Sequence, residues 1–314
     1  MTQRQRAALD AALRAAPHPA DETLEQRRAG FVLAMGRELP AGTRTTATTL
    51  GGRPAVDVVP GGPTGDTREP GVLLYLHGGG YLLGSAETHA GLAAQLAQRA
   101  GVPAVLLDYR LAPEHPFPAA VDDALAAYRE LLERGTSPAR TVLAGDSAGA
   151  GLAVATLVAA RRARLPLPAA AVLFSPFADL TLSGDSIDAL AATDPLFTRA
   201  SLQEYVTAYL AGQDPADELA SPGLADLHGL PPLLIQVGAH EVLLDDAVRL
   251  AARAGAADVD VTLEIVAGVP HVFQNRFGEL DDADAALDRA GRFLTDHLAA
   301  SKDTSPAPAT RTRT

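Results

Sequence analysis

The stretch "TVLAGDSAGAGLAVATLVAA", residues 141–160, decides the fold of this 314-residue chain. It begins with an apolar run, passes through the pentapeptide "GDSAG" at 145–149, and ends in a run of small apolar residues. The first run predicts a buried strand and the last predicts a buried helix. A glycine two positions before Ser147 and another two positions after it are typical of a tight turn that joins such a strand to such a helix.

The rest of the chain alternates between short apolar runs and helical patterns. Several runs lack polar alternation, which is typical of strands covered on both faces. These runs are 72–76, 104–107, 141–144, 170–174, 233–237 and 261–266. Between them, apolar residues recur at helical spacing, as in 118–134. Strands that alternate with helices favour right-handed crossovers, so we predict an α/β fold with a mostly parallel central sheet.

Two regions interrupt this alternation. The first 45 residues are helical without a strand, and a connection of roughly fifty residues follows the run at 170–174, a length that is usually functional. We expect these two regions to pack together as a helical cap, and the last residues, "SKDTSPAPATRTRT", to be disordered because they have almost nothing to bury. The predicted division is an N-terminal cap part at 1–45, core at 46–177, cap insertion at 178–222, core at 223–300 and tail at 301–314.

The composition excludes several classes of protein. The chain has no cysteine, which rules out disulfides, thiolate chemistry and Cys-ligated zinc. Its formal net charge of −12 disfavours binding to nucleic acid or to an anionic membrane. The polar N-terminal sequence lacks the apolar core of a secretory signal, and the longest uncharged apolar run, 148–160, is too short to span a bilayer. We therefore expect a cytoplasmic protein with no nucleic-acid partner and no membrane partner.

Ser147 is the first candidate catalytic residue, as a nucleophile at the end of a strand. Two other glycine-rich motifs fit less well. A dinucleotide fingerprint beginning at Gly149 would need a small residue where Val154 stands, and a P-loop would need a Gly-Lys-Ser/Thr sequence that is absent. An ordinary glycine-rich turn is the remaining alternative.

A second motif is "HGGG", residues 77–80, directly after the run at 72–76. Glycines allow backbone N–H groups to point into a cavity, which is how an oxyanion hole is built. A flexible turn would explain the glycines but not His77. A metal site at His77 is disfavoured because no second ligand lies at useful spacing.

The third candidate is His271, in "VPHVFQ" after the run at 261–266. A general base must arrive on such a loop to reach Ser147, and His271 completes the order serine, acid, histidine. The other histidines fit this order less well.

Five motifs in order resemble the hormone-sensitive-lipase family of α/β-hydrolases, the bacterial family IV esterases. They are "HGGGY", "DYRLAPEHPFPAA" at 108–120, "GDSAGAG", "SPFADLT" at 175–181 and "HEVLLDD" at 240–246. The resemblance implies an α/β-hydrolase fold with a two-part helical cap and hydrolysis of short-acyl carboxylic esters by a Ser-His-acid triad without a cofactor or metal. It also implies an oxyanion hole made by the N–H groups of Gly79, Gly80 and Ala148, on a loop that His77 orients.

The sequence departs from this family at two places. Ala150 stands where a last glycine is usual, and Glu241 stands where the family commonly has the aspartate of its triad. We assign the acid to Glu241, with Asp245 and then Asp246 as alternatives. A negatively charged first turn of a helix would also account for all three acids.

The expected function is therefore a serine carboxylesterase that hydrolyses short-acyl esters or small lactones through an acyl-enzyme. A non-catalytic small-molecule receptor on the same fold and an amidase are the alternatives. The expected partner is a small-molecule ester or lactone, and homodimer formation is left open.

Overall fold

A computed structural model describes residues 2–16, 22–61 and 71–300, except for the side chain of residue 300. The predicted tail at 301–314 lies outside the described residues. The described strands are β1 (Arg44–Leu50), β2 (Arg53–Val59), β3 (Val72–Leu76), β4 (Ala104–Leu107), β5 (Thr141–Asp146), β6 (Ala170–Phe174), β7 (Leu233–Gly238) and β8 (Val261–Val266). The described α-helices are α1 (Thr2–Ala15), α2 (Leu24–Met35), α3 (Ala86–Ala100), α4 (Ala119–Glu133), α5 (Ala148–Arg162), α6 (Ser186–Ala189), α7 (Arg199–Leu210), α8 (Leu244–Ala256) and α9 (Asp281–Ala300).

The strands form one sheet in the order β1-β2-β4-β3-β5-β6-β7-β8. All pairs from β4 to β8 are parallel, whereas β1 pairs with β2, and β2 with β4, in antiparallel orientation. The predicted α/β fold and its mostly parallel sheet are therefore confirmed. Since parallel strands end at the same edge, the loops that follow β3, β5, β7 and β8 all meet at one edge of the sheet.

Every predicted strand is present, but β1 and β2 were not predicted. The expectation that residues 1–45 contain no strand is wrong at its end, because β1 begins at Arg44. The sequence of β1, "RTTATTL", is polar, and most of its side chains are exposed at the edge of the sheet. An apolar run therefore could not reveal it.

The two faces of the sheet bury separate apolar cores. Along β3, Leu74 and Leu76 pack on one side with residues of α4, α5 and α8. The alternating residues Leu73 and Tyr75 pack on the other side with α3 and α9. In the central helix α5, residues 148–160 are all buried, as expected for a helix between a sheet and a second layer. This packing fixes the start of α5, and therefore Ser147.

The segment 178–222 holds α6 and α7 and ends where a short 3₁₀ turn, Pro222–Leu224, begins. Helices α1 and α2 contact it: the Arg27 guanidinium lies 5.1 Å from the ring centroid of Tyr205, and Arg14 donates a 2.6 Å hydrogen bond to the carbonyl oxygen of Thr193. These contacts are of the kind that a two-part cap requires, while the division into cap and core stays a prediction. Within the described parts of the chain, no helix combines the length and apolar character needed to cross a membrane.

Candidate active site

Ser147 lies between the end of β5 and the start of α5, in a strained backbone conformation. Its φ of 53° and ψ of −122° fall in a region that residues other than glycine rarely adopt. A side chain on Gly145 would overlap the carbonyl oxygen of Gly149, and one on Gly149 would overlap that of Leu76. Both glycines are thus required by close backbone contact. The turn places Ser147 at the carboxyl edge of the sheet and at the N-terminus of α5.

His271 and Glu241 are brought together from two neighbouring loops. His271 follows β8 and Glu241 follows β7, and the imidazole Nδ1–H donates a 2.5 Å hydrogen bond to Glu241 Oε2. Glu241 is fully buried, and its Oε1 accepts hydrogen bonds from the Ser175 hydroxyl at 2.8 Å and the Gly238 N–H at 2.6 Å. The carboxylate is therefore held in place on both oxygens.

The alternative acids contact other groups. Asp245 Oδ2 accepts a 3.0 Å hydrogen bond from the N–H of Ser186. Asp246 Oδ2 accepts hydrogen bonds from the N–H groups of Ala178 and Asp179, at 2.8 and 2.9 Å. Burial raises the pKa of Asp246 to about 7. Neither carboxylate bonds to His271, so of the three acids considered it is Glu241 that the structure pairs with the histidine.

The second ring nitrogen of His271, Nε2, is available to accept a proton. The Nε2 atom is buried and makes no hydrogen bond to any residue that the structure describes. Burial alone would lower the pKa of His271, but the Glu241 carboxylate, with help from Asp194 and Asp146, raises it above its ordinary value. With Nδ1 protonated toward Glu241, the Nε2 lone pair can accept a proton.

The glycine-rich loop follows β3 and reaches the same edge. Gly79 and Gly80 have φ values of 115° and 62°, and neither N–H donates to another described residue. Ala148 is the first residue of α5, where backbone N–H groups lack a partner within the helix. The N–H of Gly78, in contrast, donates to Asp146 Oδ1 at 3.2 Å. The predicted donors Gly79, Gly80 and Ala148 are thus available at this edge.

A buried polar cluster fixes that loop to the serine turn. Asp146, next to Ser147, also accepts a 2.8 Å hydrogen bond from the Tyr75 hydroxyl. His77 Nδ1 donates to the carbonyl oxygen of Gly78 at 2.8 Å. Burial, followed by the neighbouring His89, lowers the pKa of His77 to about 3, so the ring stays neutral. This environment suits a residue that orients the loop.

His89 extends the cluster. Its ring stacks on that of His77 at a centroid distance of 5.5 Å, and its Nε2 lies 3.3 Å from Asp146 Oδ2. The two atoms are close, but their alignment does not meet hydrogen-bond geometry, and the contact is an ion pair only when the imidazole is protonated.

Ser175 was not predicted as a site residue. It follows β6, has a positive φ of 46°, and bonds both to Glu241 and to the N–H of Val272 at 3.0 Å. It therefore connects the acid to the loop that carries His271. The motif "SPFADLT" contains this serine, but the sequence does not show that its hydroxyl reaches another loop.

Two aromatic side chains from the segment 178–222 lie against these groups. The Phe197 ring meets the His271 ring edge to face, with centroids 5.1 Å apart and an interplanar angle of 88°. Tyr205 lies so close to Gly80 that a side chain there would overlap its ring. The reactive groups are thus bordered by aromatic rings on the histidine side and on the oxyanion-loop side.

Comparison with known proteins places this site in a family. The sequence matches the alpha/beta hydrolase fold family over residues 73–275. It is similar to an acetyl-hydrolase of Streptomyces hygroscopicus, with 52% identity over 222 residues, covering 71% of this chain and 74% of that protein.

Solved structures of esterases are similar to this structure over nearly the full length of the chain. A bacterial esterase of the hormone-sensitive lipase family is 42% identical with a TM-score of 0.88, over 94% of this chain and 98% of that one. A structure of EstE5 soaked with p-nitrophenyl butyrate is 40% identical with a TM-score of 0.88, over 94% and 99% of the two chains. The chain therefore belongs to the α/β-hydrolases, within the bacterial hormone-sensitive lipase family of esterases.

Proposed function

We propose that this protein is a serine carboxylesterase that acts on short-acyl esters, acetyl esters foremost. The observation that carries the proposal is the 2.5 Å hydrogen bond between His271 and Glu241, at the sheet edge where the strained Ser147 lies. A general base oriented by a buried carboxylate is what a serine nucleophile needs.

The reaction follows from this arrangement. Ser147 Oγ attacks the ester carbonyl carbon while His271 Nε2 takes the hydroxyl proton, and Glu241 stabilises the imidazolium. The negative oxygen of the tetrahedral intermediate accepts hydrogen bonds from the N–H groups of Gly79, Gly80 and Ala148. The intermediate collapses to an acyl-enzyme, and the leaving alcohol receives the proton from His271. Water then gives a proton to the same nitrogen while its oxygen bonds to the acyl carbon. The bond from that carbon to Ser147 Oγ breaks, His271 returns the proton to Oγ, and the acid is released.

The preference for a small acyl group has two supports. Phe197 and Tyr205 place aromatic rings against His271 and Gly80, which favours a compact substrate. The relative from Streptomyces hygroscopicus is named an acetyl-hydrolase. A small lactone carries its alcohol and acyl group in one molecule and would follow the same steps.

The remaining parts of the proposal rest on the sequence. A cytoplasmic location is supported by the cysteine-free composition. The lack of nucleic-acid and membrane partners stays a prediction, as does the formation of a homodimer.

The two alternative functions are distinguished in different ways. The receptor alternative is disfavoured by the intact pairing of His271 with Glu241. A matched anilide and ester assayed together separate an amidase from an esterase.

A series of p-nitrophenyl esters from acetate to decanoate tests the proposal. We expect kcat/KM to be highest for acetate to butyrate and to fall steeply for longer chains. Ser147→Ala should abolish turnover and labelling by a serine-directed phosphonate while the fold stays intact. A maximum at decanoate would contradict the short-acyl preference, and labelling of another serine would contradict the nucleophile.

A further inference from the structure

Asp194 is a buried carboxylate in the segment 178–222 with no part in the motifs described above. It lies between α6 and α7, and only 6% of the residue is exposed. Its Oδ1 accepts hydrogen bonds from the backbone N–H groups of Leu196 at 2.7 Å and Phe197 at 3.0 Å. Its Oδ2 accepts one from the N–H of Val242 at 2.8 Å. Burial of a carboxylate costs free energy unless hydrogen bonds replace its water, and these three donors do so.

The contact with Val242 matters because this residue directly follows Glu241. The carbonyl oxygen of Val242 accepts a 2.6 Å hydrogen bond from the hydroxyl of Ser186, a residue that also belongs to the segment 178–222. The peptide groups on both sides of Val242 are therefore bound by side chains of that segment. The backbone that follows Glu241 is therefore held by Asp194 and Ser186, which lie outside the central sheet.

The contact with Phe197 leads to the base. Asp194 fixes the backbone N–H of Phe197, whose ring packs edge to face against His271. One carboxylate thus hydrogen-bonds both to the loop that carries the acid and to the residue that borders the histidine.

The charge of Asp194 acts on the same histidine. Three carboxylates favour the protonated ring of His271: Glu241 from the loop after β7, Asp194, and Asp146 at the end of β5. On the outer side, Arg14 of α1 packs against this segment and donates to the carbonyl oxygen of Thr193. Negative charge near an imidazole stabilises the imidazolium that forms during catalysis.

We propose that Asp194 is a positioning residue for the triad, which holds the backbone after Glu241 and the ring of Phe197 relative to His271 and adds negative charge that stabilises the imidazolium. The inference rests on the proposed function, because the imidazolium forms in that reaction.

The first test is Asp194→Asn, which keeps the shape of the side chain and removes its charge and one acceptor. We expect kcat on p-nitrophenyl acetate to fall by about 10- to 100-fold, as for a small misplacement of catalytic groups. The acid limb of the kcat/KM profile should move to lower pH by about half a unit or more. The control is Asp188→Asn, an exposed carboxylate of the same segment that pairs with Arg199, and it should leave both quantities unchanged.

Two further variants separate position from charge. Asp194→Glu keeps the charge and displaces the hydrogen bonds. Ser186→Ala leaves Asp194 intact and removes the hydrogen bond to the Val242 carbonyl oxygen, together with the one that Ser186 Oγ accepts from the Asp245 N–H. Both should lower kcat and leave the acid limb in place, and they carry the test if Asp194→Asn does not fold. The proposal would be overturned if the acid limb of the kcat/KM profile moved as far in Asp194→Glu as in Asp194→Asn. It would also be overturned if Asp194→Asn showed the kinetics of the wild type.

A measurement without turnover keeps this inference distinct from the esterase proposal. In Ser147→Ala protein with labelled histidine, NMR titration should show a lower pKa of His271 when Asp194→Asn is added and no change with Asp188→Asn. If the pKa of His271 is the same with Asp194→Asn as with Asp188→Asn, the role of Asp194 is overturned even if the wild type is an active esterase. Failure of the wild type to hydrolyse any ester would overturn the proposed function, with the titration still deciding the role of Asp194.

Discussion

Glu241 shows how a single residue can depart from the common pattern of its family and still take the expected place. Its side chain is one methylene longer than that of aspartate. The structure accommodates this length by burying the carboxylate against the Ser175 hydroxyl and the Gly238 N–H, so that Oε2 is left to accept from His271. Three donors on one buried carboxylate leave it little freedom to rotate.

Replacing Glu241 with glutamine should lower kcat by about three to four powers of ten, because an amide cannot stabilise the imidazolium and favours the wrong tautomer. Asp245→Asn should cost less than about tenfold, since Asp245 bonds to the backbone of Ser186 and not to the histidine. Saturating turnover of one ester measures both variants. If Asp245→Asn proves the more damaging, Glu241 is not the acid.

The pH dependence of the wild type follows from His271. The base must be neutral to accept a proton, and the nearby carboxylates raise its pKa above the ordinary value. We therefore expect kcat/KM to fall on acidification with an apparent pKa above about 6.5, the value of a free imidazole. A rate that stays at its plateau down to pH 5, in protein that remains folded by circular dichroism, would contradict this assignment.

At the scale of elements, the turn between β5 and α5 holds the serine because backbone atoms pack where side chains usually lie. Gly149→Ala would force a methyl group into the carbonyl oxygen of Leu76. We expect this change to lower the free energy of unfolding by about 3 kcal/mol or more, as for other steric conflicts in a packed core.

Gly255→Ala is the matched control, because an added methyl in α8 would lie 3.7 Å from the nearest atom, Val261 Cγ1. It should raise the free energy of unfolding by about 0.5–1 kcal/mol, since alanine favours a helix over glycine. Denaturant titration of both variants measures the difference. Equal destabilisation by the two changes would show that the close contact at Gly149 is not what matters.

The elements also show what the sequence could predict. Strands β3 to β7 are largely buried on both faces and appear as apolar runs, whereas β1 is threonine-rich and exposed and leaves no such run. β8 was predicted from its sequence as a strand, but the expectation that both its faces are covered is wrong, because it lies at the edge of the sheet and is only partly buried. Ser147 and His271 were predicted from motifs that follow strands of the parallel sheet, whose ends share an edge, and Glu241 was predicted from the resemblance to the family. Ser175 and Asp194 act through contacts between distant loops, which no local pattern encodes.

At the scale of the whole molecule, Asp246 joins the segment 178–222 to α8. It is buried and bonds to the N–H groups of Ala178 and Asp179, and burial raises its pKa to about 7. The folded protein therefore favours the protonated carboxyl. Its contribution to stability is greatest below about pH 4, the range of an unfolded aspartate, and is lost as the pH rises through 7.

Between pH 5 and pH 8 the wild type should lose up to about 3 kcal/mol of folding free energy that Asp246→Asn keeps, because the amide cannot ionise. The difference in free energy of unfolding between variant and wild type at the two pH values measures this. The neighbouring change Asp245→Asn, at a partly exposed position, serves as the control. The same difference at both pH values would show that Asp246 stays ionised when folded.

The arrangement of the parallel strands has a consequence for how this enzyme can change. Ser147, Glu241 and His271 all follow the carboxyl ends of strands, whereas the loop at 134–137 precedes the amino end of β5 and contains Gly135, which has open space around it. Mutations that change the chemistry therefore fall at the carboxyl ends of the strands, whereas changes in the loops at the amino ends affect folding alone. Insertions, fused domains and new chain termini can accumulate at the amino end without reaching the reactive serine, while substrate range evolves in the loops of the other end.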